Sequence, residues 1–215
     1  MELFEKFYRS GVCKGWPRFG LVVQAYSKRA LPTLCWITAL AKECGDEIPV
    51  RLVKGAYWDN EIKWTQENGL LGYPVFTRKS HSDISYLACA RYLLSDDTDG
   101  AIYPQFATHN AQTFMAIQQM NETHQRRIEY QRLHGMGDSL YDTIMEQNPG
   151  MVVRIYAPVG PHKDLLPYLV RRLLENGANS SFVHKLLDAD TPVNDLVEHP
   201  MKTASGYEKY ANSKI

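Results

Sequence analysis

Arg171 and Arg172 are adjacent cations one helical turn beyond Tyr168, with Glu175 at i,i+4 and i,i+3 from them. Two neighbouring guanidiniums repel unless something anionic lies between them, and their planar forks suit a carboxylate. Glu175 can brace one of the pair along a helix surface, so the spacing allows an exposed charged face or a carboxylate clamp. Thr77-Arg78-Lys79 is a second cationic group, readable as a solvated basic turn or as an anion site. Gly135-Met136-Gly137 precedes a helix start near Asp138. Backbone N–H groups there can take an anion or make a tight turn. A further set (Gln24, Lys54, Thr108-His109-Asn110, Gln131, His134-Gly135 and Tyr156) closes successive β-rich runs.

These residues need elements to carry them. Short β-branched runs predict strands at Gly20–Gln24, Val50–Lys54, Ile102–Thr108, Ile128–Leu133 and Val152–Ala157. Helical patterns lie between and after them, at Ser27–Cys44, Ser82–Leu94, Asn110–Met120, Asp138–Gln147 and His162–Asn176. Ser82-Asp83 reads as an N-cap, and Gly177 as a helix stop. Strands alternating with helices predict βα units and a parallel sheet, because parallel strands need crossover connections. In such sheets ligands sit at the C-terminal strand ends, where the polar set falls. An eight-unit barrel needs about 250 residues, so the pattern leaves an open doubly wound sheet or an incomplete barrel. The connection from Asp59 to His81 is long enough to be a functional loop. From Asp188 onward the chain turns polar and is expected to pack weakly.

Composition narrows the classes. Lys+Arg and Asp+Glu both number 24, a formal net charge of zero, which argues against nucleic acid as the main partner. Neither G-x-G-x-x-G nor a P-loop nor a G-x-S-x-G elbow is present. His81, His109, His134 and His162 fall on different elements, and no metal site is expected. Cys13, Cys35, Cys44 and Cys89 form no C-x-x-C pair and read as thiols of a reducing cytoplasm. No apolar run suits a signal peptide or a membrane span.

Taken together, GLVVQAYSKRALP, VRLVKGAYWDNEIK, GYPVFTRK, YLACARYLL, YPQFATHNAQT, EYQRLHGMGDSLY, RIYAPVGPH and YLVRRLLENGANSSFV resemble the proline dehydrogenase domain of the bifunctional bacterial proline utilization A family. The likeness runs in order from about Gly15 to Asp188, and TPVNDLVEHP resembles the stretch that follows that domain. The resemblance implies a (βα)8 barrel holding FAD and oxidising L-proline to Δ1-pyrroline-5-carboxylate. Electrons would leave to a membrane quinone, and an aldehyde dehydrogenase domain would complete the enzyme. By the same resemblance Arg51 lies near flavin N5, and Gln24 bonds the flavin ring. Val53, Lys54, Gly55, Ala56 and Trp58 line the isoalloxazine and ribityl chain. Thr77, Arg78 and Lys79 serve the pyrophosphate and adenosine end. Thr108, His109, Asn110 and Gln131 complete the cofactor bed, with Glu175 as helix partner. Arg171 and Arg172 clamp proline's carboxylate, while Tyr156, Tyr57 and Leu133 wall its ring. Arg51 and Tyr156 are the expected catalytic residues.

The matching segments correspond to the family's strands four to eight. The expectation is therefore a partial barrel over residues 1–188, a fragment lacking the first three βα units, with a polar tail or linker over 189–215. Two site residues that the family draws from early strands have no counterpart, so activity of this chain alone is expected to be weak. Exposed sheet edges would favour self-association. The alternatives are a non-catalytic remnant that needs a partner half and an open α/β phosphate-binding module. The expected location is cytoplasmic, with peripheral contact at the inner membrane face.

Overall fold

A computed structural model describes residues 1–16, 18–177, 192, 194, 198–212 and 215; from 173 to 177 the description extends to the backbone only. Five strands alternate with helices: β1 (Leu21–Gln24), β2 (Ile48–Val53), β3 (Ile102–Ala107), β4 (Glu129–Leu133) and β5 (Val153–Tyr156). The helices are α1 (Glu2–Arg9), α2 (Ala30–Cys44), α3 (Trp58–Glu67), α4 (Lys79–Leu94), α5 (Ala111–His124), α6 (Asp138–Gln147), α7 (His162–Gly177) and α8 (Pro200–Ser205). All strand pairs are parallel, and the spatial order is β1-β2-β3-β4-β5. A doubly wound sheet reverses its order part-way; this one does not. Right-handed crossovers in one unbroken direction put the helices on a single side, as in a barrel wall. That distinguishes the two architectures the pattern left open.

The outward face of the sheet is apolar. Val23, Val50, Leu52, Ile102, Phe106 and Tyr130 are buried, as are Leu34, Ile37 and Leu40 of α2, Tyr86, Cys89 and Leu93 of α4, and Phe114 and Ile117 of α5. Phe114 stands 4.3 Å from Tyr130 and 6.3 Å from Tyr141 between ring centroids. Period-2 alternation therefore turns the other residues of each strand to the concave side.

Element boundaries moved in places with identifiable causes. The second strand starts at Ile48, whose N–H donates to Ala101 O at 2.8 Å. The fourth helix starts at Lys79, so Ser82-Asp83 lies within it instead of capping it; Asp83 bonds two lysines. The fifth helix continues to His124, where the Asn121 side chain takes Arg126 N–H at 2.9 Å and Gln125 turns left-handed at φ 50°. The long connection after β2 is ordered. Lys28 N donates to Pro74 O, and Phe76 N to Tyr26 O at 2.8 Å, stitching it to the turn after β1. None of residues 198–212 is buried, as a weakly packed tail predicts, yet the segment has defined contacts: α8 lies on α4, and Gln112 Nε2 donates to Glu198 O at 2.8 Å.

Candidate active site on the concave face

Strand register sets the rows of this face. Val22 pairs with Arg51, Arg51 with Gln105 and Gln105 with Glu129. One step further along, Gln24 pairs with Val53, and Gln131 with Ala107 and Arg154. The concave surface is thus mostly polar, unlike the apolar convex face. Arg51 Cζ lies 5.2 Å from the Tyr156 ring centroid. On a flat sheet β2 and β5 would be separated by about 14 Å, with side chains standing perpendicular, so this contact reflects the curl of the sheet.

The middle of the face is built by internal hydrogen bonds. Glu129 is buried, and Arg154 donates to it twice, from Nε at 2.8 Å and Nη2 at 2.7 Å. Gln131 Nε2 donates to Glu129 Oε1 at 2.6 Å, which fixes the orientation of the Gln131 amide. Burial opposes the charge of Glu129, but the bonds from Arg154 and Gln131 prevail and hold its carboxyl below the usual range. Above it, Leu133 N–H donates to His109 Nε2 at 3.1 Å. His109 Nε2 is therefore the acceptor nitrogen, and the proton sits on Nδ1. Burial, then Arg132 and Arg172, push the imidazole down to about 4, so it is neutral near pH 7. Thr108 Oγ1 accepts Asn110 N–H at 3.1 Å, and Asn110 Oδ1 caps α5 by accepting Thr113 N–H at 2.8 Å. Tyr141 O–H donates to Thr108 O at 2.8 Å. Arg132 is paired with Asp138 and donates to Met136 O, tying down the Gly135-Met136-Gly137 turn. A tight turn is what that glycine pair makes here, with Gly135 and Gly137 at φ 77° and 67°.

Beyond β2, Lys54 Nζ reaches Asp83 at 2.6 Å, and Lys79 Nζ reaches the other carboxylate oxygen at 2.8 Å. Burial disfavours the Asp83 charge, yet the two ammonium groups keep its carboxyl below the ordinary value. Gly55 has φ 120°, and a Cβ there would stand 1.8 Å from the Tyr26 ring, so only glycine lets the chain turn at this point. Ala56 and Val53 are half-buried beside it. Trp58 Nε1 donates to Phe76 O at 2.7 Å, which pins the indole.

The remaining predicted residues gather on the open side. Arg171 Cζ is 4.9 Å from the Tyr57 ring centroid, and Arg172 Cζ is 5.3 Å from that of Tyr168. Leu133 is buried and Tyr57 is exposed. The Glu175 side chain lies outside the described residues. The Nε atoms of Arg51 and Arg171 are buried without a hydrogen-bond partner. A buried guanidinium N–H calls for an acceptor, so these groups fit an anionic or carbonyl-bearing ligand. A groove of about 470 Å³ runs beside β1, with Gln24 and Tyr26 among its lining residues.

Two predicted groups differ from a simple exposed cationic loop. Thr77 Oγ1 accepts Asn212 N–H at 2.9 Å, and Arg78 Nη2 donates to Ala211 O at 3.1 Å. From sequence Asp83 reads only as a helix cap, and Glu129, Arg154, Tyr207 and Tyr210 carry no site assignment. The i,i+4 spacing of Lys79 and Asp83 signals their pairing, and Glu129-Gln131-Leu133 alternates onto one face; nothing in the sequence links Tyr207 to Arg78.

Residues 1–185 match the family described as Proline dehydrogenase. The chain is 48% identical over 211 residues to the bifunctional protein PutA of Escherichia coli (strain K12), covering 94% of this chain. It is 46% identical over 220 residues to that of Klebsiella aerogenes, covering all of it. The chain spans 16% of the length of each of these relatives. A crystal structure of bifunctional proline utilization A (PutA) superposes with a TM-score of 0.91 at 47% identity, covering all of this chain and 22% of that one.

Proposed function

The chain belongs to the proline dehydrogenase family, and from that premise we propose that its concave face forms part of a site where FAD is held and L-proline is oxidised to Δ1-pyrroline-5-carboxylate. The observation that carries this reading is a pair of arginine–tyrosine contacts, Arg51 with Tyr156 across the polar concave wall and Arg171 with Tyr57, each arginine having a buried guanidinium N–H that awaits an acceptor. When bound, FAD supplies the two-electron acceptor for that oxidation.

The chain's residues divide the remaining work. Arg51 contributes a fixed cation where negative charge accumulates, and a half-buried position strengthens it. Gln131, oriented by Glu129, and His109, neutral with its proton on Nδ1, offer directed polar groups without added charge. Gln24, Val53, Lys54, Gly55, Ala56 and Trp58 form the adjoining cofactor wall, and Thr108 and Asn110 hold its backbone in place. Arg171 and Arg172 bind the substrate carboxylate. Tyr57, Tyr156 and Leu133 surround its methylenes, since a saturated ring prefers apolar and aromatic walls. No described helix is long and apolar enough to cross a membrane. On this reading the chain works in the cytoplasm beside an aldehyde dehydrogenase portion, and passes electrons to a quinone at the membrane. The edges at β1 and β5 support self-association.

The test is anaerobic titration of the FAD-loaded chain with L-proline, followed by loss of the visible flavin band. Bleaching is expected, and Arg171→Met should need at least about tenfold more proline, because a charge-assisted partner of the carboxylate is lost. An Arg171→Met titration that overlays the wild type would overturn the clamp. Absence of bleaching at saturating proline would overturn the oxidation reading for this chain.

A further inference from the structure

The C-terminal residues 198–212 return to the molecule at the predicted phosphate loop. The Arg78 guanidinium lies 3.9 Å from the Tyr207 ring centroid, and its Nη2 is held by Ala211 O. The His81 ring stacks on Tyr210 at 4.5 Å and 18°, and meets the edge of Tyr207 at 5.8 Å. Ser80 Oγ donates to Tyr207 Oη at 3.4 Å, while Asn212 N–H bonds Thr77. Beyond them Ile215 packs with Tyr26, Ile62 and Val75 under the same loop. The segment therefore crosses α4 from Gln112 at one end to Tyr73 at the other, where Tyr73 O–H donates to Ile215 O at 3.0 Å.

This contact leaves two polar atoms without partners, Arg78 Nε and His81 Nδ1, both buried. Burial and the neighbouring Arg78 keep the imidazole neutral more readily than usual. A guanidinium, a neutral imidazole and two phenol rings in one patch match the needs of a phosphate joined to a flat heterocycle. The patch is also tied to the end of β2. Lys54, at the end of β2, and Lys79, next to Arg78, share the Asp83 carboxylate. Lys54 and Lys79, sharing Asp83, thus stand between the end of β2 and Arg78, a spacing that suits an elongated ligand with a ring at one end and a pyrophosphate further out.

We propose that residues 198–212 are a working part of the cofactor site, in which Tyr207 and Tyr210 position Arg78 and His81 as the wall that receives the pyrophosphate–adenosine end of FAD. This rests on the flavin reading above. The two tyrosines act through Arg78 and His81, so they are positioning residues. The ring end of the cofactor does not depend on them.

That asymmetry supplies the test. The 215-residue chain and its Tyr207→Ala and Tyr210→Ala variants are titrated with FAD and, separately, with FMN, which lacks the adenosine half. Tyr207→Ala should weaken FAD binding about tenfold, the loss of one well-packed cation–π support, and leave FMN binding unchanged. In the wild type, FAD should slow proteolytic cleavage within 198–212 and FMN should not, a readout that requires no variant. Equal weakening for FAD and FMN, or no FAD-specific protection, overturns the proposal and makes the segment a support of the fold. A wild-type chain that binds neither FAD nor FMN overturns the flavin reading itself.

Discussion

The fourth and fifth strands are neighbours in register, yet they are held in different ways. All five residues of β4 are buried, and its polar members are bonded within the chain: Glu129 to Arg154 and Gln131, Arg132 to Asp138. The β5 strand ends the sheet order, with Arg154 and Ile155 exposed, and its Tyr156 meets Arg51 through a ring–cation contact 5.2 Å long. The contrast extends to the helices behind them, since α6 buries Tyr141 and Ile144, whereas Leu166, Leu169 and Val170 of α7 are exposed. The polar residues of β4, on the cofactor side of the proposed site, are thus preorganised by hydrogen bonds within the chain. Tyr156 on β5 and Arg171 on α7, assigned above to the proposed substrate side, are instead positioned by ring–cation contacts.

The largest expected effect tests the packing half of that contrast. Phe106→Ala, at a fully buried site against Tyr130, should cost about 3–5 kcal/mol of unfolding free energy. Ile155→Ala on the edge strand, half exposed, should cost less than about 1 kcal/mol. Urea melts of the two variants measure the gap, and similar losses would mean that the edge is packed as firmly as the centre.

A somewhat smaller effect concerns protons. His109 is neutral in the folded state, with its pKa pushed from 6.5 to about 4 by burial and then by Arg132 and Arg172, whereas the unfolded chain protonates near the ordinary value. The unfolded state therefore binds the proton first as pH falls. Stability should be intact above about pH 6.5 and decline toward pH 4, by on the order of 3 kcal/mol in full. His81 is shifted in the same direction by burial and Arg78, and adds to the same slope. His109→Gln should flatten the dependence between pH 6.5 and 4.5; a slope unchanged by that substitution would place the titrating group elsewhere.

Much of this arrangement is legible in the sequence because it follows from period. The β4 strand reads as a short run over Ile128–Leu133, one residue longer than observed, and α6 begins at Asp138 as its pattern predicts. The paired arginines and the strand-end polar residues are visible because chemistry and spacing coincide. Less is readable where a partner is distant along the chain. Lys54 and Asp83 are 29 residues apart, and Arg78 and Ala211 are 133 apart. No local pattern encodes such contacts, so Asp83 looks like a helix cap and the Tyr207–Tyr210 stretch like a loose tail. The direction of sheet order is equally non-local: the same five βα units could have wound both ways, and only packing of α2, α4 and α5 on one side decides it.

The smallest effect probes how weakly the substrate side is held. Arg171 and Tyr57 meet across the opening between α7 and the β2–α3 turn, and Tyr57 is 41% exposed. A cation over an aromatic ring at so accessible a site contributes about 0.5–1 kcal/mol, because water competes for the guanidinium. A double-mutant cycle of Arg171→Met and Tyr57→Leu on unfolding free energy should therefore give a coupling of that size. The same cycle for Glu129→Gln and Arg154→Met should give a larger one, since one partner is buried and the bond is doubled. If the Arg171–Tyr57 coupling equals or exceeds the Glu129–Arg154 coupling, the substrate side is as preorganised as the cofactor side. If it is smaller, Arg171 is held only weakly, and the proposed closing over a carboxylate requires only that a weak aromatic contact be exchanged for a charge-assisted one.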